Sequence, residues 1–423
     1  MRVCFISRRF FPAISGMSVY ALNLIRQMAA EGHDVVMVSQ YRNDDAGAAV
    51  YGGGPPPEVP GVKIIGLESH GEQVVGDDQP ADFEADIEAI VSAVEREHAD
   101  APFDIIHAQY GYPTGLAALE ASRRLGVPNV VSIQGGDGHW VGTCCDTHRD
   151  AMRAVLHHAG EVLIGSLSFA KEVHENHHVP LDRFTIIPGA TDTDRFHPAG
   201  GKELGSLSDP PTFLYHGRVD ARKGLIEMID AMAIVHDAIP AARMVVSGIG
   251  PDVDAIRDHA AKCGLAGVVD FLGYTEYEQA PTVYHRGDIF VSPTYSEGFS
   301  NTILEAMASG LPVISTETVG VVDCLTHDDN GYLVPIREVE PLAAAMIRMI
   351  EDDGLRTRLA CRGYDDVVQK YSWPVIGNRI IRRYDGLVGG AIDNDWTDLY
   401  DPETVTAETA DASCRFRAAP HLL

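Results

Sequence analysis

The chain has 423 residues, 45% of them hydrophobic and 22% charged, the balance of a folded globular protein and a length that suits two domains of roughly 200 residues each. Its formal net charge of −28 argues against nucleic acid as a partner, because phosphate contacts need a basic footprint. Six of the 33 basic residues are lysine and the rest are arginine. So acidic and lysine-poor a surface points to a halophilic host, where salt screens self-repulsion, with an arginine-biased genome as the plainer alternative.

No run of 18 apolar residues occurs, so no membrane span is expected. Arg8 and Arg9 interrupt the opening apolar stretch too soon for a secretory signal. A cytoplasmic protein is expected, with room for peripheral contact with a membrane. Of the seven cysteines only Cys144 and Cys145 are close in sequence, and no Cys-x-x-Cys occurs. That scatter fits reduced thiols better than a disulfide framework or a structural zinc site.

In chain order, strands are predicted at 3–6, 35–38, 62–65, 104–106, 129–133, 162–164 and 184–187. Amphipathic helices are predicted between them, at 18–30, 83–98 and 115–125. Residues 52–57, three glycines then three prolines, read as a loop. The Gly-, Ser- and Pro-containing stretch 199–211 reads as an interdomain linker. Alternation then restarts: strands at 213–215, 243–247, 268–271, 289–291 and 313–314, with helices at 225–236, 254–262 and 302–309. Strand–helix alternation of this kind means two α/β domains, each a mostly parallel, doubly wound, Rossmann-like sheet. The expected domains are 1–198 and 212–371, facing across a deep cleft in which ligands bind at the carboxyl ends of the strands. Leu342, Met346, Met349 and Ile350 form a core stripe. A closing helix at about 372–388, with Trp373 as its anchor, is expected to return to the first domain. Residues 392–423, acidic and aperiodic, are expected to form a loosely held tail.

The stretch 292–312, SPTYSEGFSNTILEAMASGLP, carries the most chemistry. Glu297 is predicted on a loop after a strand, Gly298 permits a tight turn, and Ser300 suits a helix N-cap. The backbone N–H groups around Phe299, Ser300, Asn301 and Thr302 then form an anion site for a phosphate. Glu305 falls on the helix itself. Two carboxylates eight residues apart can each accept hydrogen bonds from vicinal hydroxyls, worth about 1.5–3 kcal/mol each. Upstream, Gly217 opens a loop in which Arg218 and Lys223 flank the turn into the next helix. Cations near a helix N-terminus oppose its dipole, so this placement fits a ligand anion better than helix stability.

Taken together these residues resemble family 4 of the retaining glycosyltransferases. Glu297-(x7)-Glu305 fits that family's E-x7-E motif, and Arg218 and Lys223 fall on its diphosphate-binding positions. Ser247-Gly248-Ile249-Gly250-Pro251 resembles its G-x-G-P loop, Phe271-Leu272-Gly273-Tyr274 its next strand and loop, and Pro12-Ala13-Ile14-Ser15-Gly16 its P-x-x-G-G. The likeness covers about residues 1–390. It implies the two-domain GT-B architecture and transfer of a hexose-type sugar, with retention, from a nucleoside-diphosphate-sugar to a glycan, lipid or small-molecule acceptor. Arg218, Lys223 and Glu297 would be catalytic. Gly16, Gly217, Gly250, Gly298, Phe299, Ser300, Asn301 and Glu305 would bind the donor. Glu297 would contact the sugar and Glu305 the ribose. The resemblance implies neither a cofactor nor a metal.

Three departures stand out. Gln134 occupies the place of the family's sugar-contacting histidine, and it cannot titrate. Gln134, Asp137 and His139 are therefore the candidate sugar or acceptor contacts. Ser15 replaces the first glycine of the N-terminal pair. Pro188-Gly189-Ala190-Thr191-Asp192 stands where the family has P-N-G-x-D. A GT-B-like nucleotide-sugar epimerase and a weakly catalytic nucleotide-sugar-binding subunit remain alternative functions. His174-Glu175-Asn176-His177-His178 matches H-E-x-x-H formally, but Val179-Pro180 puts it at a helix end, against a zinc site. Asp192-Thr193-Asp194 reads as a turn, not a manganese site.

Overall fold

A computed structural model describes residues 1–8, 10, 16–42, 56–71, 81–143 and 145–401. Residues 12–15 of the N-terminal motif, 52–55 of the glycine–proline loop, Cys144 and 402–423 of the expected tail lie outside them. The chain divides into two compact units. Unit 1 is Met1–Pro188 with Gly377–Leu423, and unit 2 is Gly189–Ile376. Among the described residues no helix is long and apolar enough to cross a membrane.

Unit 1 holds seven parallel strands: β1 Arg2–Ser7, β2 Asp34–Tyr41, β3 Val62–Glu68, β4 Ile105–Gln109, β5 Asn129–Ile133, β6 Glu161–Ile164 and β7 Phe184–Ile186. They lie in the order β3-β2-β1-β4-β5-β6-β7. β1 is buried along Val3–Ser7 because helices cover both faces of a parallel sheet, which is why it reads as an unbroken apolar run. The order reverses between β1 and β4, so this pair marks the sheet's switch point.

The helix Trp373–Leu387 contains the unit boundary. Its unit 1 portion is tied to β4 by a hydrogen bond between Tyr384 and His107 Nδ1. His107 Nε2 meets Ser132 Oγ at 2.7 Å, and burial pushes the imidazole down to about 3, so the ring is a neutral link between strands. Arg383 adds a 2.6 Å contact to Glu161.

The loose tail expected from 392 is corrected over its described part. Asp393 pairs with His158 at 2.8 Å, residues Asp395–Asp398 form a 3-10 turn, and Trp396 is fully buried against helix Asp146–His158. Burying one indole outweighs the polar composition around it.

Unit 2 holds six parallel strands: β8 Thr212–His216, β9 Arg243–Ser247, β10 Val269–Gly273, β11 Ile289–Ser292, β12 Val313–Thr316 and β13 Tyr332–Val334. Their order is β10-β9-β8-β11-β12-β13, with the switch point between β8 and β11. The helix Val339–Glu351 packs on Leu225–Ala238, burying Leu342, Met346 and Met349 in the core with Ile350 against it.

The expected linker 199–211 is an integral part of unit 2. Buried Asp288 accepts hydrogen bonds from Lys202 Nζ at 2.7 Å, Ser208 N at 3.0 Å, Ser208 Oγ at 2.8 Å and Thr212 N at 2.8 Å. Buried Arg356 donates to Gly205 O at 2.6 Å. A carboxylate and a guanidinium removed from water must find partners, and this Gly- and Ser-rich stretch supplies them. The division between the units falls at 188/189 instead.

Candidate active site

The switch point of unit 2 gathers the loops after β8 and β11. β8 ends at His216, and Gly217 N donates to Ser247 O at 3.0 Å, joining that loop to the end of β9. Gly248 lies so close that a Cβ on it would stand 1.8 Å from Gly217 O, at a φ of +143° that side chains rarely adopt. A Cβ on Gly250 would meet Val219 O at 2.0 Å. The G-x-G spacing is thus the condition for two loops to lie backbone on backbone.

Within the first loop, Tyr215 donates to Arg218 O at 2.6 Å, and Arg218 Nε contacts Asp220 Oδ2 at 3.1 Å. Asp220 caps the turn Ala221–Lys223 through Arg222 N at 2.9 Å. Burial works to raise the Asp220 carboxyl, but the hydrogen bond and charge of Arg222, with the charge of Lys223, hold it below its ordinary range.

The second loop is bonded to the first. Tyr295 N donates to Arg222 O at 2.9 Å, and Tyr295 OH donates to Glu227 at 2.6 Å. On its other side Glu297 N donates to Val319 O at 3.1 Å. These contacts bring Lys223 Nζ to 2.6 Å from Glu297 Oε1, with about a fifth of each side chain exposed. The pair is 74 residues apart in sequence.

Gly298 is buried and Phe299 half-buried, its ring 5.8 Å from that of Tyr371. Helix Asn301–Ala308 follows. Ser300 occupies its N-cap position as expected, but its side chain makes no capping hydrogen bond; its Oγ lies 3.4 Å from Thr302 Oγ1. The first-turn N–H groups lack intrahelical partners by construction. Asn301 adds a buried Oδ1 that has no hydrogen-bond partner among the described residues.

Glu305 is buried on the same helix and accepts a 2.6 Å hydrogen bond from Tyr284. Burial pushes its carboxyl up to about 7, against the pull of the Tyr284 hydrogen bond. Tyr284 stands edge-on to His216, 5.3 Å away, and His216 Nδ1 meets Ser247 Oγ at 3.1 Å. Burial lowers His216 to about 4 and leaves it neutral. Tyr284, Tyr295 and Glu227 are partners of the site that sequence inspection misses. Each acts by reaching across the fold, and none sits in a spaced motif.

Unit 1 presents a different set. Gly16 begins the helix Gly16–Ala30, and a Cβ there would meet nothing within 4 Å among the described residues. At the switch point, Ser7 Oγ donates to Gln109 Oε1 at 3.0 Å, and Gln109 Nε2 donates to Gln134 Oε1 at 2.7 Å and to Met17 O at 2.9 Å. Gln134 is half-buried with its carbonyl oxygen engaged.

Asp137, a candidate contact, turns inward. It is fully buried, and its oxygens accept from Gln134 N at 3.1 Å, Gly135 N at 2.9 Å and Gly111 N at 3.0 Å, so it braces the loop. His139 Nδ1 donates to Glu172 at 2.6 Å, and its ring lies 4.6 Å from that of Phe169.

The histidine-rich helix end holds no shared ligand face: His174 Nδ1 donates to Val179 O at 2.8 Å, and His178 is a left-handed C-cap. Asp192 Oδ1 caps its own turn through Asp194 N at 3.1 Å.

Two family models match the chain. "Glycosyl transferase 4-like domain" covers residues 15–190, and "Glycosyl transferases group 1" covers residues 201–366. Glycogen synthase of Mycobacterium tuberculosis is 24% identical over 91% of this chain and 94% of its own. From the same organism, GDP-mannose-dependent alpha-(1-6)-phosphatidylinositol monomannoside mannosyltransferase is 26% identical over 66% of this chain and 76% of its own. The solved structure of sucrose-phosphate synthase from Thermosynechococcus elongatus superposes with a TM-score of 0.76 at 23% identity, covering 92% of this chain and 99% of that one. Two Rossmann-like parallel sheets in tandem, with these likenesses, define a glycosyltransferase of the GT-B type. The chain belongs to family 4 of that class.

Proposed function

We propose that this protein transfers a hexose-type sugar, with retention of anomeric configuration, from a nucleoside-diphosphate-sugar to a glycan, lipid or small-molecule acceptor. The observation that carries the reading is the 2.6 Å Lys223–Glu297 contact at the switch point of unit 2, with Arg218 on the same loop. The donor diphosphate lies against the first turn of helix Asn301–Ala308 and meets Arg218 and Lys223. As the bond from the anomeric carbon to the phosphate oxygen breaks, negative charge grows on the leaving diphosphate. Two fixed cations stabilise it without a metal, and losing one such group costs about 10²–10³ in rate.

Glu297, held by Lys223, accepts hydrogen bonds from the transferred sugar, and Glu305 accepts them from the ribose. The acceptor oxygen bonds to the anomeric carbon on the face the phosphate leaves, and its proton passes to the departing phosphate. Unit 1 supplies acceptor recognition through Gln134, with His139 beside it on the same loop.

Incubation of the full chain with UDP-, GDP- and ADP-sugars, with and without acceptor extracts, tests this. Release of nucleoside diphosphate with a new glycoside of the donor's anomeric configuration is expected. An inverted product, isomerisation of the donor without acceptor, or binding without turnover would each overturn the reading, the last two in favour of an epimerase or a binding subunit.

A further inference from the structure

Among the described residues, one set of three side chains with metal-ligating atoms converges away from the switch point. Asp230 lies on the helix Leu225–Ala238; His259 lies on the helix Val253–Lys262, and Cys263 caps that helix. Cys263 N donates to His259 O at 3.0 Å, so the two side chains stand one helical turn apart on one face. The second helix packs on the first, which brings Asp230 to them. All three residues are half-buried, open enough for an ion to enter.

We propose that Asp230, His259 and Cys263 form a binding site for one divalent transition ion of the zinc class, with a water as fourth ligand. The donor set is carboxylate, imidazole and thiolate, which suits zinc and cobalt and disfavours magnesium and calcium. The geometry is close to what such an ion requires. Bond lengths of about 2.3 Å to sulfur and 2.0–2.2 Å to nitrogen and oxygen set tetrahedral edges of about 3.4–3.6 Å. Cys263 Sγ lies 3.7 Å from Asp230 Oδ1 and 3.8 Å from His259 Nε2. Asp230 Oδ1 and His259 Nε2 are hydrogen-bonded at 2.6 Å and must part by about 0.8 Å as the ion replaces the proton between them.

Binding forms one metal–sulfur, one metal–nitrogen and one metal–oxygen bond to the protein, in place of waters of the hydrated ion, which keeps one water as its fourth ligand. The Cys263 thiol gives its proton to solvent, and a neutral His259 ring moves its own from Nε2 to Nδ1, so one proton leaves per ion. Burial and the charge of Asp230 raise the Cys263 thiol, and a cation between the two groups reverses that repulsion.

The ion would staple the helix that follows Lys223 to the helix that follows the Gly248–Gly250 loop. Asp230 lies on the second turn of the helix Leu225–Ala238, past the turn that holds Lys223, so the ion would stabilise unit 2 away from the charged loops of the switch point. The inference is independent of the transfer reaction. It also runs against the expectation from cysteine spacing, because only one of the three ligands is a cysteine and one comes from a separate helix.

Titration of the chelator-treated full chain with Co(II) tests the site. One equivalent should produce a thiolate-to-cobalt charge-transfer band and the intense visible bands of a tetrahedral centre, and Zn(II) should bleach both. Zn(II) should also raise the melting temperature by a few degrees. Cys263→Ser should lose the charge-transfer band, and Asp230→Asn and His259→Gln should each weaken Co(II) binding at least about tenfold. Cys263→Ser, nearly isosteric and half-exposed, should melt like the wild type without metal. Absence of the band, its survival in Cys263→Ser, or a melting temperature indifferent to Zn(II) would overturn the proposal.

Discussion

The carboxyl edges of the two sheets share a topology and differ in chemistry. In unit 2 the loops at the switch point carry full charges in contact, Lys223 with Glu297 and Arg218 with Asp220, beside the buried Glu305. In unit 1 the described residues of the corresponding edge include the neutral groups Ser7, Gln109 and Gln134, bonded to one another, and the buried cation Arg8, whose guanidinium lies over the Phe83 and Tyr110 rings, while the buried carboxylate Asp137 accepts from backbone N–H groups. Under the proposed function, the paired charges of unit 2 answer the charge that develops on a leaving diphosphate, and the amides of unit 1 position an acceptor hydroxyl.

The largest expected effect breaks or upholds the charged half. Lys223→Ala should lower kcat about 10²–10³-fold with a smaller change in KM, measured by nucleoside diphosphate release. A variant with wild-type turnover would remove the distinction between the two edges.

Next is Glu305, whose folded carboxyl at about 7 lies above its ordinary 4.5. Between those values the folded state keeps a proton that the unfolded state releases, so stability falls as pH rises through the window, by roughly 3 kcal/mol in full. Glu305→Gln, which cannot ionise, should melt with the wild type near the bottom of that window and above it at pH 8. Its donor affinity should fall about tenfold, from the loss of a charged acceptor. Parallel melting profiles across the window would mean that Glu305 ionises at its ordinary value in the fold.

The unit 1 edge is sharpened by Asp137→Asn. An amide cannot accept from three backbone N–H groups as a carboxylate does, so about 1–3 kcal/mol of stability should be lost in denaturant melts, with donor affinity unchanged. A changed donor affinity with unchanged stability would make Asp137 a ligand contact after all. The smallest effect is expected from His139→Ala. Its contact with Glu172 is partly exposed, and such pairs contribute about 0–1 kcal/mol. A tenfold drop in acceptor kcat/KM would instead give His139 the role of the family's histidine.

Much of unit 2's chemistry was legible in sequence because it is local. A strand end, a glycine, a cation and a helix start fall within ten residues, and Glu297 and Glu305 lie on either side of one helix start. The contact between Lys223 and Glu297 was not legible, since it depends on β8 and β11 being neighbours. The Gly111 partner of Asp137 was not legible either, since it lies 26 residues away and depends on β4 and β5 being neighbours.

By itself the sequence determined the alternation of strands and helices, the two-unit α/β class and the family, since short-range periodicity and fixed spacings encode all three. Tertiary structure decided which buried charges found which partners. Asp288 drew the presumed linker into unit 2, Trp396 drew residues past 392 onto unit 1, and helix packing brought Asp230 to His259 and Cys263. A buried charge or a large aromatic ring gains its stability from whichever complementary group the packed elements bring near, and that neighbour is set by strand order and helix packing, not by distance along the chain.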